Sequence, residues 1–166
     1  MKLAKAYMSG KVRRWHTHAN LHQNVADHAW GVAFIIIKLH PSPSMALIKE
    51  ALFHDSGEIF TGDVPTPCKK NFPAFRVLLE EIEADFRKHS GLPLNDLTQE
   101  EQDWLDFADS FEAVLFIHNA SGLTKQDADW RFRLLGDKAK KKAKVIGLNY
   151  DRVYKKFTHG EFDGEV

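Results

Sequence analysis

The sequence predicts an all-α protein. Apolar residues recur at helical spacing in successive segments, and no stretch alternates convincingly with the two-residue period of a strand. Capping residues, glycines and prolines cut the chain at intervals suited to helices. In chain order, Asn24 is placed to cap a helix running to about Leu39, where His40-Pro41-Ser42-Pro43 prevents its continuation. Ser44 caps a second helix over about Met45 to Glu58. The segment Thr61-Gly62-Asp63-Val64-Pro65-Thr66-Pro67 carries the glycine and prolines of an ordered loop. Pro73 suits the first turn of a helix reaching about His89. Thr98 with Glu101 forms a capping box heading a helix that stops near Gly122. A long helix from about Asp127 to Ile146 ends at Gly147, and a short one follows Tyr150.

A chain of 166 residues with 43% apolar content is long enough for one substantial core, and neither a repeat nor a low-complexity linker divides it. It reads as a single domain over residues 1–166. Lysine plus arginine and aspartate plus glutamate both total 23, which gives no general attraction toward nucleic acid or an anionic membrane. The one cysteine, Cys68, excludes an internal disulfide and a cysteine-rich zinc site, and it fits a reducing cytoplasm. The most apolar run, Val32 to Ile37, is far shorter than the roughly 20 residues that span a bilayer, and the first residues lack a signal-peptide pattern. A soluble protein with no membrane partner is expected.

Chemistry-bearing residues fall on the inner faces of two predicted helices. On the first, Val25, Val32, Ile35 and Leu39 share a face, and His28 lies among them. On the second, Met45, Ile48 and Leu52 define an inward stripe whose next member is Asp55. An ionised carboxylate turned inward needs a cation, a metal or strong hydrogen-bond donors. The adjacent His54 favours a metal, and histidine with aspartate suits zinc, cobalt, manganese or iron. Glu58, three residues after Asp55, is on the same side and within reach of a water on such an ion. Each residue alone has a plainer reading. His28 could be a hydrogen-bonded core histidine and Asp55 a salt-bridge partner, and His-Asp pairs arise by chance in a chain with 9 histidines.

The joint pattern is more specific. From Arg14 to Lys69 the chain resembles bacterial HD-domain 5'-deoxynucleotidases, through Arg14-Trp15, Asn24-Val25-Ala26-Asp27-His28, Leu52-Phe53-His54-Asp55-Ser56-Gly57-Glu58 and Thr61-Gly62-Asp63-Val64-Pro65-Thr66-Pro67-Cys68-Lys69. Ala108-Asp109, on a later amphipathic helix, looks like that family's last metal ligand, and beyond it the resemblance fades. The resemblance implies that His28, His54, Asp55 and Asp109 hold a divalent metal, zinc, cobalt or manganese, with magnesium on the substrate phosphates. It also implies that Glu58 handles the proton of an attacking water and that Asp63 is a second carboxylate near the scissile phosphate. Spacing alone does not choose among Asp103, Asp106 and Asp109, although Leu105 and Phe116 flank Asp109 on one helical strip. Arg14 and Lys69, with Lys70 as a neighbour, are the motif-matched cations for phosphoryl oxygens. Trp15 offers a face for a nucleobase, whereas Trp30, Trp104 and Trp130 and the phenylalanines Phe107, Phe111 and Phe116 read as packing residues.

Within this superfamily the chain is similar both to general 5'-deoxynucleotidases acting on monophosphates and to phage dATP triphosphohydrolases, which release deoxyadenosine and triphosphate. The short length and Arg14-Trp15-His16-Thr17 favour the phage type, which removes dATP so that diaminopurine replaces adenine in DNA. That resemblance places Trp15 and Thr17 against the purine, and Thr17 stands where it leads us to expect an apolar residue. A deoxynucleotide substrate, a homo-oligomer and the cytoplasm, that of the host if phage-encoded, follow from the same resemblance. Two readings from other classes compete: an inactive HD scaffold, against which the intact ligand set argues, and a nucleic-acid-binding module using Lys138, Lys140, Lys141, Lys142 and Lys144. Lacking interleaved aromatics, those lysines read more simply as a solvated helix end, so no nucleic-acid partner is expected.

Overall fold

The structure, a computed structural model, describes residues 2–17, 21–92, 95–121 and 123–159; the side chains of residues 2, 126–128, 130 and 131 are not described. The fold is helical: α1 (Lys2–Ser9), α2 (Val25–Leu39), α3 (Met45–Phe53), α4 (Glu58–Thr61), α5 (Thr66–Asn71), α6 (Pro73–Ser90), α7 (Gln99–Asn119), α8 (Lys125–Val145) and α9 (Tyr150–His159). The expectation of helices throughout holds, with one small addition. Two-residue strands β1 (Arg13–Arg14) and β2 (Gln23–Asn24) pair antiparallel, Arg13 opposite Asn24 and Arg14 opposite Gln23. Segments this short carry no readable alternation. Contacts separate the chain into two units, Met1–Leu97 and Thr98–Val166.

In the first unit α2 is the central element. Asn24 caps it: the side chain accepts from the Asp27 N–H, and Asp27 accepts in return from the Asn24 N–H, which satisfies two otherwise orphaned donors. Val25, Ala29, Val32, Ala33, Ile35 and Ile36 bury its inner face against α3, with His28 completely buried among them. Position 30 points away from that face, so Trp30 is 64% exposed and stacks on Phe34; it is not the packing residue expected. Ser44 caps α3, as anticipated, by accepting from the Leu47 N–H.

The helix expected over Met45 to Glu58 is instead broken. α3 stops at Phe53, the chain turns through His54–Gly57, and α4 begins at Glu58. The stripe is also displaced: Leu47 and Ala51 are fully buried, whereas Met45 and Leu52 are exposed. At the far end of the break another helix comes close. A Cβ on Gly57 would lie 2.5 Å from the Glu83 Cα and closer still to its Cβ, so α6 presses directly on the turn. α6 is in turn fixed to α3 by Arg87, whose Nη1 and Nη2 donate to the two Glu50 carboxylate oxygens at 2.6 and 2.7 Å. Burial pushes the Glu50 carboxyl up, but Arg87 and Asn95 outweigh it and hold it below its ordinary value. The helix expected from Pro73 forms and ends at Gly91, which takes the left-handed conformation at φ 67°. The loop expected at Thr61–Pro67 is shorter than anticipated, because α5 starts at Thr66 with Pro67 in its first turn.

In the second unit Thr98 and Glu101 form the expected capping box at the head of α7. Trp104, Phe107, Phe111, Val114 and Ile117 are buried along α7, with Ala139 and Ala143 buried on α8 and Tyr150 and Val153 on α9. Phe107 stacks on Phe111, which meets Tyr150 and Phe157 edge-on, while Phe116 is half-buried. α7 ends at Asn119; the stop expected at Gly122, and the Trp130 side chain, lie outside the described residues.

Candidate metal centre and active site

Three of the sequence-predicted residues meet in the first unit. The Asp55 Oδ2 lies 3.6 Å from the His28 Nε2 and 3.4 Å from the His54 Nε2, and the two imidazoles approach edge-on with centroids 5.3 Å apart. Asp55 reaches this place from the turn after α3, and not as the next member of a helical stripe. The break in the helix allows His54 and Asp55, adjacent in sequence, to face a common point.

The His54 ring is oriented by its own helix. Its Nδ1 lies 3.0 Å from the Ala51 carbonyl, which can only accept, so Nδ1 carries the proton and Nε2 presents a lone pair. That Nε2 is buried and makes no hydrogen bond. A backbone carbonyl fixing one nitrogen while the other faces inward is the arrangement by which histidine binds a metal. Asp109, the remaining expected ligand, lies on α7 in the second unit. On α7, Asp106 is engaged by the Lys142 Nζ at 2.7 Å and Asp103 by the Gln99 side chain at 2.9 Å, whereas the Lys138 Nζ stands 4.0 Å from the Asp109 Oδ2. The donor set, imidazole nitrogen with carboxylate oxygen and no sulfur, fits zinc, cobalt or manganese.

Further charged groups stand beside these residues. The Arg14 Nη1 donates to the Asp55 Oδ2 from a largely buried position, tying β1 to the HD turn. Glu58, at the start of α4, is 3% exposed. Burial, then the Asp55 and Asp63 carboxylates, push its carboxyl up to about 9 against the opposing pull of Arg14 and Lys69. Lys69, half-buried on α5, is therefore electrostatically part of the site, while Lys70 is exposed.

Trp15 is held on both sides. Its backbone N–H donates to the Asp63 Oδ2 at 3.2 Å and its indole Nε1–H to the Gln23 Oε1 at 2.9 Å. It is the only non-glycine at positive φ (56°) among the described residues, a conformation that costs about 1–2 kcal/mol. Asp63, expected near a scissile phosphate, thus also braces the Trp15 backbone. Thr17 is exposed, as is His16. Two neighbours escaped the sequence reading. Gln23 sits in a hairpin too short to announce itself, and Glu83 abuts Gly57 and accepts from the Thr61 Oγ1 at 3.0 Å. Burial raises the Glu83 carboxyl. Only the paired register of β1 and β2, or the approach of α6, reveals either one.

The chain is similar to proteins already known. The family model described as 5'-deoxynucleotidase YfbR-like matches residues 6–112. A 5'-deoxynucleotidase of Pasteurella multocida (strain Pm70) is 34% identical over 89 residues, 47% of this chain and 45% of its own length. The dATP triphosphohydrolase of cyanophage S-2L is 34% identical over 101 residues, 57% of each chain. The chain thus spans about half the length of the curated relatives it matches. Among solved structures, the cyanophage S-2L HD phosphohydrolase (DatZ), bound to dA and one catalytic Zn2+ ion, matches with a TM-score of 0.72 at 26% identity, over 95% of this chain and 94% of that one. With well over half of its residues under the family model, and with the histidines and aspartate of its HD motif drawn to one point, the chain belongs to the 5'-deoxynucleotidase YfbR-like family.

Proposed function

We propose that the protein is a metal-dependent phosphohydrolase of 2'-deoxynucleotides, with His28, His54, Asp55 and Asp109 as the metal ligands. The observation that carries this reading is the convergence of two imidazoles and Asp55 beside a buried glutamate. A structural ion pair would not need the second histidine or the orphaned Nε2 of His54. A divalent ion bound there supplies an acidified water and neutralises phosphate charge. Glu58 takes the proton from the attacking water; burial, which strengthens its hold on a proton, makes it an effective base once ionised. Arg14 and Lys69 lie where developing negative charge on phosphoryl oxygens needs cations, and Asp63 keeps Trp15 in position beside them. Trp15 and Thr17 face the base. No serine or cysteine nucleophile is required.

Within this class we favour dATP as substrate, cleaved to deoxyadenosine and triphosphate, with dADP and dAMP as lesser substrates. Support comes from the cyanophage S-2L enzyme, which aligns in sequence over 57% of each chain, against 47% and 45% for the Pasteurella multocida deoxynucleotidase at the same 34% identity, and whose structure matches with a TM-score of 0.72. A phage exchanging adenine for diaminopurine, working in the host cytoplasm, is the setting in which such an activity has a use. The alternative is a 5'-deoxynucleotidase acting on monophosphates generally, which the family description favours. We also propose a homo-oligomer, consistent with the exposed Trp30 and Ile37 on the outer face of α2.

The test is a panel of ribo- and deoxynucleoside mono-, di- and triphosphates incubated with the protein under cobalt, zinc, manganese and magnesium. Triphosphate released from dATP but not from dGTP is the expected result. Phosphate released from several deoxynucleoside monophosphates, with triphosphates untouched, selects the alternative. No hydrolysis of any deoxynucleotide under any of the four metals contradicts both.

A further inference from the structure

We infer that Gln23 is a positioning residue for a nucleobase platform: its buried amide oxygen locks the Trp15 indole so that the ring presents a face, and not its hydrogen-bonding edge, to the base. The identity of the ligand rests on the hydrolase reading above; the locking rests on the structure.

A tryptophan that served only to fill space would not need a strained backbone, although its indole N–H would still take a partner. Trp15 has the strain as well as the partner: φ of 56° and an Nε1–H donated at 2.9 Å to the Gln23 Oε1, on a residue only 5% exposed. Residues held in costly backbone conformations persist where the surroundings over-determine them, and they gather at ligand clamps. Here the surroundings do so from several directions. The backbone N–H of Trp15 is tied to Asp63, and the preceding Arg14 pairs with Gln23 across the two-residue ladder while its guanidinium donates to Asp55. The base of the hairpin is anchored to the first turn of α2, where the Val25 N–H donates to the Val12 carbonyl at 2.9 Å and the Ala26 N–H to the Gly10 carbonyl at 3.0 Å. Gly10 also lies so close that an added Cβ would be 3.1 Å from the Ala26 Cβ. Indole, hairpin and helix start therefore form one frame, and the half-buried ring stands one residue from the arginine bound to the candidate metal ligand.

The chemistry of the lock sets what Trp15 can recognise. The indole has a single polar hydrogen, and Gln23 uses it. Contact with a base is then through the π-face, which every base can satisfy. Gln23 thus gives Trp15 affinity for a base without a preference among bases, and discrimination has to come from other residues of the pocket.

The experiment is equilibrium binding by calorimetry, with metal chelated by EDTA so that nothing is turned over, comparing dAMP with 2-deoxyribose 5-phosphate, which lacks the base. The parent should bind dAMP about tenfold more tightly than the baseless sugar phosphate. Gln23→Leu should weaken dAMP binding about three- to tenfold while leaving 2-deoxyribose 5-phosphate unchanged. In a Trp15→Phe background, which has a ring but no N–H, Gln23→Leu should add nothing. Equal losses for both ligands in Gln23→Leu, no loss for either, or a full effect in the Trp15→Phe background would overturn the role of Gln23. A parent with no preference for dAMP would overturn the platform itself. A parent that prefers dAMP yet hydrolyses no nucleotide with any metal would sink the hydrolase reading and leave this one standing.

Discussion

At the scale of single residues, the candidate site depends on groups whose charge the surroundings control. Glu58 is the sharpest case, since burial and neighbouring carboxylates push it up to about 9. In the unfolded chain the same carboxyl titrates near its ordinary value of 4.5. Between these values the folded, metal-free protein holds a proton that the unfolded chain has released, so stability falls as pH rises through this window and is greatest below it. Thermal melts in EDTA should therefore show a Tm that declines from about pH 5 to about pH 9, with a shallower decline in Glu58→Gln; identical slopes would show that Glu58 does not carry the shift. The same substitution removes the base, and turnover should fall about 10²–10⁴-fold while the bound metal is kept. Retention of the parental rate would end the assignment of water activation to Glu58. Its candidacy was legible from the His54-Asp55-Ser56-Gly57-Glu58 motif, whereas the continuous helical spacing expected from Asp55 to Glu58 is interrupted by the turn. Gln23 was not legible, because its importance comes from the Trp15 indole met across a hairpin of two-residue strands.

At the scale of elements, local signals were read correctly wherever the chemistry was local. Asn24, Ser44 and the Thr98–Glu101 pair cap α2, α3 and α7 because each side chain satisfies an amide within its own first turn. The boundary after α3 was missed because the apolar spacing between Met45 and Glu58 continues through the turn, and nothing in that segment records the approach of α6 to Gly57 through Glu83. Gly57 has an ordinary helical φ of −66°, so the glycine serves close packing and not backbone freedom. Gly57→Ala should accordingly destabilise the protein by about 1–3 kcal/mol in urea unfolding and lower turnover as well, since α4 carries Glu58 from the very next position. A neutral effect on both would mean that α6 yields easily and that the turn does not depend on it. The α2 stripe was legible and the α3 stripe was not. The first is a long run with buried residues at regular spacing, whereas α3 is only 9 residues and its buried face reduces to Leu47 and Ala51.

For the whole molecule, the balanced charge of 23 basic against 23 acidic side chains is mirrored in local pairing on α8. Lys138 faces Asp109, Lys140 lies 3.4 Å from Asp151 and over the Tyr150 ring, and Lys142 is bonded to Asp106. Three of the five lysines that suggested a nucleic-acid surface thus have acidic partners, which favours the solvated helix end. Among the described residues no helix is long and apolar enough to cross a membrane. What remains distinctive is the centre built on His28, His54 and Asp55, and the proposed activity stands or falls with its occupation by a metal. Metal content by inductively coupled plasma mass spectrometry is the most direct measurement, made on purified parent, His54→Ala and Asp55→Ala proteins after equal exposure to zinc, cobalt or manganese and desalting. One ion per chain is expected in the parent, with near-complete loss of both metal and deoxynucleotide hydrolysis in each variant. A variant that keeps the parental metal content and the parental rate would rule out a metal centre at His54 and Asp55.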